Sequence, residues 1–264
     1  MSQNSQQGKY ENCYVAFLDI LGLKNKVAES VNDEQKLKTL IESIEEYCKI
    51  SGIETKQTGK SDLNIKIRFF SDSLVFFMRQ DGDISQMLFL IRFIQDQLWG
   101  KGLCLRGGIT LDEMFWCDNK NITIGPGLVE AYKLENEIAI YPRIIISENL
   151  YDRIKDNHVG PFGANENLKL DSLIKEDNDG LFFLDLLNKN INRPENEKLK
   201  IEDNSFYIKY ENHSEDKRRD ILSAVDNTIK NNISDKPKIQ QKYKWLKSYM
   251  NSSRAETNEE NVIK

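Results

Sequence analysis

Hydrophobic and polar positions recur along this chain in runs short enough to name its elements one by one. Cys13 to Leu21 is an apolar run that ends at the turn-prone Gly22 and predicts a first strand. From Lys24 to about Ile50, the residues Leu37, Leu40, Ile41, Ile44 and Tyr47 follow the spacing of an amphipathic helix. A Gly-, Lys- and Ser-rich loop, Gly52 to Asp62, precedes two strands, Leu63 to Phe70 and Leu74 to Met78, that meet at Ser71-Asp72-Ser73 as a hairpin. Ile84 to Leu98 predicts a second helix with Met87, Leu88, Ile91, Ile94 and Leu98 on one face. Leu103 to Thr110 reads as a strand broken at Gly107-Gly108, with Glu113 to Cys117 beyond it. Gly125-Pro126-Gly127 then opens a helix through about Asn136, Arg143 to Ser147 is a strand, and Asn149 to Lys155 a short helix.

This order predicts an α+β sheet with helices packed on one face, the ferredoxin-like plan with additions. Past Asn157 the character changes. Gly160 to Gly163 is a loop, Gly180 to Leu187 a strand, and Lys189 to Asn204 a polar connection. Two helices follow, about Glu215 to Asn232 and Lys236 to Met250, the second with Pro237 near its first turn. The expected organisation is a flexible tail over 1–11, one catalytic-sized domain over 12–188, a C-terminal helical extension over 189–251 and a disordered tail over 252–264.

Composition narrows the chemistry. The formal charge of −5, with both signs interspersed, gives no basic stripe, so no nucleic-acid partner is expected. No apolar stretch approaches the roughly 20 residues of a membrane span, and the start carries no charged and apolar leader, so a cytoplasmic protein is expected. Cys13, Cys48, Cys104 and Cys117 form no C-x-x-C pair and only His158 and His213 are present, so neither zinc nor a disulfide framework is signalled. Scarce histidine pushes any catalysis toward carboxylates and metal.

Two aspartates stand inside apolar strand-like runs: Asp19 in Phe17-Leu-Asp-Ile-Leu-Gly-Leu23 and Asp72 in Phe70-Ser-Asp-Ser73. A buried, unpaired carboxylate costs several kcal/mol, so each needs a cation or a full set of hydrogen bonds. Capping a turn at a strand's end is the plainer reading of either one alone; the two together fit a shared Mg²⁺.

The series Phe17 to Leu23, Phe70 to Ser73, Leu105-Arg-Gly-Gly-Ile109, Gly125 and the helix Leu128-Val-Glu-Ala-Tyr-Lys-Leu-Glu135 resembles the class III nucleotidyl cyclase catalytic domain over roughly residues 12 to 155. The resemblance implies a homodimer with sites at its interface and two Mg²⁺ or Mn²⁺ ions held by Asp19, Asp72 and the Ile20 carbonyl. Triphosphate binding would fall to the turn Ile20, Gly22, Leu23 and Lys24 at a helix N-terminus. Purine cyclases of this kind carry an Asn and an Arg on the glycine-led helix; here Val129 and Lys133 stand there, leaving Lys133, Arg106 or Arg143 to meet transition-state charge. Arg143 is equally readable as an exposed edge residue. At the base-reading positions stand Arg68 and, beside Ile122, Thr123. Arginine has only donors and suits a pyrimidine carbonyl over the adenine amino group. Tyr47 is a candidate to stack on the base, though a packed core tyrosine is the simpler reading.

Asp179 to Asp185 and Lys242 to Asn251 are similar to tail elements of the stand-alone pyrimidine cyclases of bacterial Pycsar anti-phage systems. That similarity implies conversion of UTP, with CTP close behind, to a cyclic monophosphate read by a separate effector; Trp245 and Tyr249 then read as an apolar helix face docking on the sheet or a partner. A purine cyclase with a rearranged pocket, an inactive nucleotide-binding regulator and a polymerase-like palm are the alternatives.

Overall fold

The computed structural model describes residues 9–42, 65–70, 73–100, 102–157, 169–187, 215–231 and 236–255. Strand β1 (Glu11–Leu21) leads into α1 (Leu23–Ser30) and a second helix, α2, over 34–42. A hairpin of β2 (Lys66–Phe70) and β3 (Ser73–Arg79) precedes α3 (Ile84–Gly100) and the long β4 (Cys104–Cys117). β5 (Ile122–Ile124), α4 (Pro126–Lys133), β6 (Ile144–Ile146), α5 (Glu148–Ile154), β7 (Ile174–Glu176), β8 (Phe182–Leu184), α6 (Glu215–Asn231) and α7 (Pro237–Ala255) complete the order.

One mixed sheet carries all eight strands in the order β2-β3-β1-β4-β6-β8-β7, with β5 paired to β4. Only the β4–β6 pair is parallel. The α+β class expected from the sequence is therefore the class found.

β1 is the centre because both its faces are apolar, which only a strand covered on both sides can satisfy. Tyr14, Ala16, Leu18 and Ile20 join the larger core with α3, α5, α6 and α7. Cys13, Val15 and Phe17 point the other way, into a smaller cluster with Val75, Phe77, Met114, Trp116 and Ala131 of α4. Helices thus cover both faces, not the single face expected: α4 covers β1 on the second face, and Trp245 and Tyr249 of α7 pack on Phe183, which the register places on that same face farther along the sheet. Burial pushes the Cys13 and Cys104 thiols up to about 12, so both behave as packing groups and not as nucleophiles.

Three further expectations change. The helix expected from Lys24 to Ile50 is interrupted at Val31-Asn32-Asp33, where Asp33 Oδ1 accepts the Lys36 amide at 3.0 Å and starts a new helix. β4 runs unbroken through Gly107-Gly108: a Cβ on Gly108 would lie 2.2 Å from Leu134 Cβ and 3.0 Å from the Ala131 carbonyl, so the glycine admits α4 to the sheet instead of ending the strand. The helix α7 continues to Ala255, past the Ser252 at which disorder was expected, because Ser253 is buried and its Oγ donates to the Leu187 carbonyl at 3.4 Å. Ile44, Tyr47 and the long polar connection lie outside the described residues.

Candidate functional site

The alternation that buries Cys13, Val15 and Phe17 carries Asp19 to the same face at the end of β1, where the cover of α4 runs out. Its register neighbours are Ser73 on β3 and Arg106 on β4. Beyond it, Gly22 adopts φ +83, a left-handed conformation that favours glycine, and turns the chain directly into the first turn of α1. No side chain caps that turn, so the amides of Leu23 and Lys24 open the helix beside the carboxylate. The turn Ile20, Gly22, Leu23 and Lys24 is thus adjacent to Asp19 by construction, with the Ile20 side chain buried on the opposite face.

Arg106 crosses from β4 to meet Asp19, its Nη2 3.4 Å from Asp19 Oδ2, and the same nitrogen is held by Glu135 Oε1. Both Asp19 and Arg106 keep about a fifth of their side-chain surface exposed, 20% and 18%. Glu135 is buried, on a π-helical turn, Leu134–Ile138, that follows α4. Its burial raises the carboxyl's pKa above the ordinary value, aided by the negative charge of Asp19 and opposed by Arg106. From α7, Lys242 lies in the same electrostatic neighbourhood. Burial and the Arg106 guanidinium hold its ammonium below the usual lysine range, against the pull of Asp19 and Glu135. Neither Glu135 nor Lys242 was singled out as a site residue from the sequence. Glu135 carried a signal, since it falls four residues after Ala131 and one after Leu134, on the buried face of its helix. Lys242 carried none.

Asp72 lies outside the described residues, as does Tyr47. The chain neighbour of Asp72, Ser73, stands directly opposite Asp19. Among the described residues no group of three or more His, Cys, Asp or Glu is arranged to hold a metal ion. Asp19 fits a hard divalent ion in chemistry: it is an oxygen donor, partly open to solvent.

Arg68 pairs with Val75, itself opposite Phe17, which puts it on the same face as Asp19. The end of β4 curls back over this face. Trp116 packs on Phe77, ring centres 5.4 Å apart, and Asp118 in the turn after β4 takes Arg68 Nη2 at 2.5 Å and Lys66 Nζ at 2.9 Å. Asp118 and Lys66 are thus unforeseen companions of Arg68. Thr123, half-buried on β5, pairs with Trp116.

Two other candidates fall elsewhere. Lys133 is exposed at the end of α4, and Val129, one turn earlier, is 55% exposed. Arg143 is neither an exposed edge residue nor turned to Asp19: its side chain is 1% exposed and its guanidinium is bound by Asp177 and Asp179. It also lies over the rings of Tyr141 and Trp245, 5.0 and 5.7 Å from their centres. A cation so enclosed is spent on structure.

No protein-family model matches the chain, and no curated protein does. Solved structures similar to it include the catalytic core of a rhodopsin-guanylyl cyclase with converted specificity in complex with ATPalphaS, at 16% identity, covering 67% of this chain and 98% of that one, TM-score 0.42. Another is the monomeric guanylyl cyclase domain of the RhoGC fusion protein from the aquatic fungus Blastocladiella emersonii, at 14% identity over 67% and 97% of the two chains, TM-score 0.43. A third is a class III adenylyl cyclase-like ATP-binding protein from Pseudomonas aeruginosa, at 16% identity, covering 55% of this chain and 35% of that one, TM-score 0.36. Likeness of this size carries no chemistry over to this chain. No described helix is long and apolar enough to cross a membrane.

Proposed function

We propose that this protein is a nucleotide cyclase of the class III kind that converts a pyrimidine nucleoside triphosphate, UTP ahead of CTP, to its 3′,5′-cyclic monophosphate and pyrophosphate. It acts as a homodimer, and its product serves as a messenger to an effector in anti-phage defence. The observation that carries the reading is the junction at the end of β1. There an accessible carboxylate, a left-handed glycine and an uncapped helix start follow one another in five residues, Asp19 to Leu23, with Ser73 of the β2–β3 hairpin directly opposite.

Each part has a task in such a reaction. The open amides and positive end of α1 suit the β- and γ-phosphates, with Lys24 adding charge. Asp19, the Ile20 carbonyl and Asp72 would hold Mg²⁺ or Mn²⁺, which would supply the charge that activates the ribose hydroxyl and neutralises the departing pyrophosphate. Arg106 keeps Asp19 in place between turnovers. Arg68, steadied by Asp118, would offer donors to a base carbonyl, with Thr123 of β5 as a second contact to the base. Lys133 and the half-exposed α4 surface face outward, where a second protomer would receive them.

One observation favours a second reading, a nucleotide-binding regulator without turnover: exposed Val129 cannot orient a ribose, and Arg106 is engaged by two carboxylates. A single experiment separates the two. The purified full-length protein is incubated with each of the four ribonucleoside triphosphates and Mn²⁺, beside Asp19→Asn. Formation of cyclic UMP and pyrophosphate, lost at least about a thousandfold in the variant with its thermal unfolding unchanged, is the expected result. Exclusive use of ATP would overturn the pyrimidine assignment, and binding without turnover would establish the regulator.

A further inference from the structure

We infer that the C-terminal helix α7 forms a wall of the Asp19 site and that Lys242 is the residue through which this wall binds the polyphosphate of the ligand. The inference takes the nucleoside triphosphate from the proposed function and assigns to that site a residue from outside the cyclase-like region.

The helix is no loose appendage. Residues 241, 245, 249 and 253 recur every four positions and form one stripe of polar anchors. Gln241 Nε2 donates to the Tyr141 hydroxyl at 3.1 Å, and Trp245 Nε1 donates to Asp177 Oδ2 at 2.6 Å. The Tyr249 hydroxyl donates to Asp185 Oδ1 at 2.5 Å and accepts the Leu187 amide at 2.9 Å. Trp245 stacks on Tyr141 with an interplanar angle of 3° and covers the Arg143 guanidinium.

Those anchors fix where the first half of α7 lies. Arg143 immediately precedes β6, and its carbonyl accepts the amide of Gly107, the residue after Arg106, at 3.2 Å. A helix seated on Tyr141 and Arg143 therefore lies across the end of the sheet at which Asp19 and Arg106 stand. Lys242 follows Gln241 and precedes by one turn the fully buried Leu246, so it flanks the anchored stripe where the helix meets the sheet. Its electrostatic neighbours are Arg106, Asp19 and Glu135.

Chemistry decides what this lysine is for. Arg106 is committed to Asp19 and Glu135, which leaves its charge balanced within the protein. Lys242 is half-buried yet makes no ion pair among the described residues. A partly dehydrated ammonium with no carboxylate in contact gains most from a mobile anion with several charged oxygens. Lysine, as a point charge on a flexible stem, suits the non-bridging oxygens of a phosphate chain.

The test measures the affinity of the full-length protein for Mg²⁺-tripolyphosphate by calorimetry, with steady-state kinetics on the triphosphate alongside. Lys242→Ala is expected to weaken tripolyphosphate binding at least about tenfold, and Lys242→Arg to stay within about threefold of wild type. Lys238→Ala, exposed one turn earlier on the same helix, is expected to bind as wild type. Thermal unfolding of each variant separates lost binding from lost fold, and the arginine variant, which keeps the positive charge on a long aliphatic stem, serves as a second check. Unchanged affinity in Lys242→Ala, equal weakening in Lys238→Ala, or a wild type that does not bind tripolyphosphate would overturn the inference. Lys242-dependent binding in a protein that cyclises no triphosphate would reject the proposed reaction and leave the inference standing.

Discussion

Arg106, the third residue of β4, and Arg143, just before β6, stand at the same end of neighbouring parallel strands and carry the same charge, yet the fold puts them to opposite uses. Arg143 is enclosed: two aspartates from the turn between β7 and β8 take its guanidinium, and the rings of Tyr141 and Trp245 cover it. Arg106 is left 18% exposed, its Nη2 shared between Glu135 and a longer 3.4 Å contact to Asp19. The difference lies in the partners. Among the described residues, both carboxylates that accept from Arg143 come from the C-terminal third of the chain, which must be docked to bury it. Arg106 faces the open end of β1 and the turn into α1. One arginine fastens the tail to the sheet; the other stands where a ligand can meet it.

The sharpest way to break this contrast is to remove each charge in turn while keeping the stem. Arg143→Met removes the counterion of Asp177, which keeps the Trp245 N–H, and of Asp179, which keeps 42% of its side chain in solvent, so the cost is expected to be about 3 kcal/mol, the lower end of the roughly 3–5 kcal/mol of a broken buried pair. Urea unfolding is expected to register that loss, with activity falling only as the folded fraction falls. A loss below about 1 kcal/mol would mean that the anchors at Gln241, Tyr249 and Ser253 hold α7 without Arg143.

The second effect is smaller in stability and larger in function. Arg106→Met strands Glu135, whose carboxyl then takes up a proton, so the stability cost is expected to be about 1–3 kcal/mol. Turnover or nucleotide binding, by contrast, is expected to fall about a hundredfold through the loss of an electrostatic partner at Asp19. If both variants lose stability and activity in the same proportion, the two arginines do not differ in kind and the contrast fails.

These roles could be read from the sequence only in part, and the reason is physical. Strands β1, β2, β3, β6 and β8 and helix α3 follow from short-range periodicity, and so does the position of Asp19, since alternation along β1 fixes its face; β5 and β7, three residues each, are too short to show a period. Arg143 depends on residues 34, 36 and 102 positions away, which no local spacing links to it. Gly107-Gly108 looks like a break because glycine usually weakens a strand; its use here, letting α4 approach, depends on Leu134 and Ala131. The interruption at Val31-Asn32-Asp33 leaves no mark in the apolar spacing, whose first member, Leu37, lies beyond it; the capping oxygen of Asp33 restarts the helix there. Lys242 reads as one of several lysines on a polar helix face, and only the docking of α7 distinguishes it.

The smallest effect distinguishes the two arginines through their carboxylates, whose proton affinities move in opposite directions. The hydrogen bond from Arg143 holds Asp179 below the ordinary aspartate range, whereas burial holds Glu135 above the ordinary glutamate range despite Arg106. For Asp179 the ionised form is the favoured one in the fold. Its contribution is present above the unfolded pKa of about 4 and is lost as pH falls through the lower folded value. For Glu135 the protonated form is favoured. Its contribution is full below about 4.3 and is lost as pH rises through the raised folded value. Urea unfolding across this range is therefore expected to lose its acid-side slope in Asp179→Asn and its slope above the glutamate range in Glu135→Gln. Asp179 keeps 42% of its side chain in solvent, so its slope is the weaker and shrinks further in salt, while that of buried Glu135 persists. Equal salt sensitivity of the two slopes would show that Glu135 is as solvated as Asp179, and the buried state of that carboxylate beside Arg106 would have to be given up.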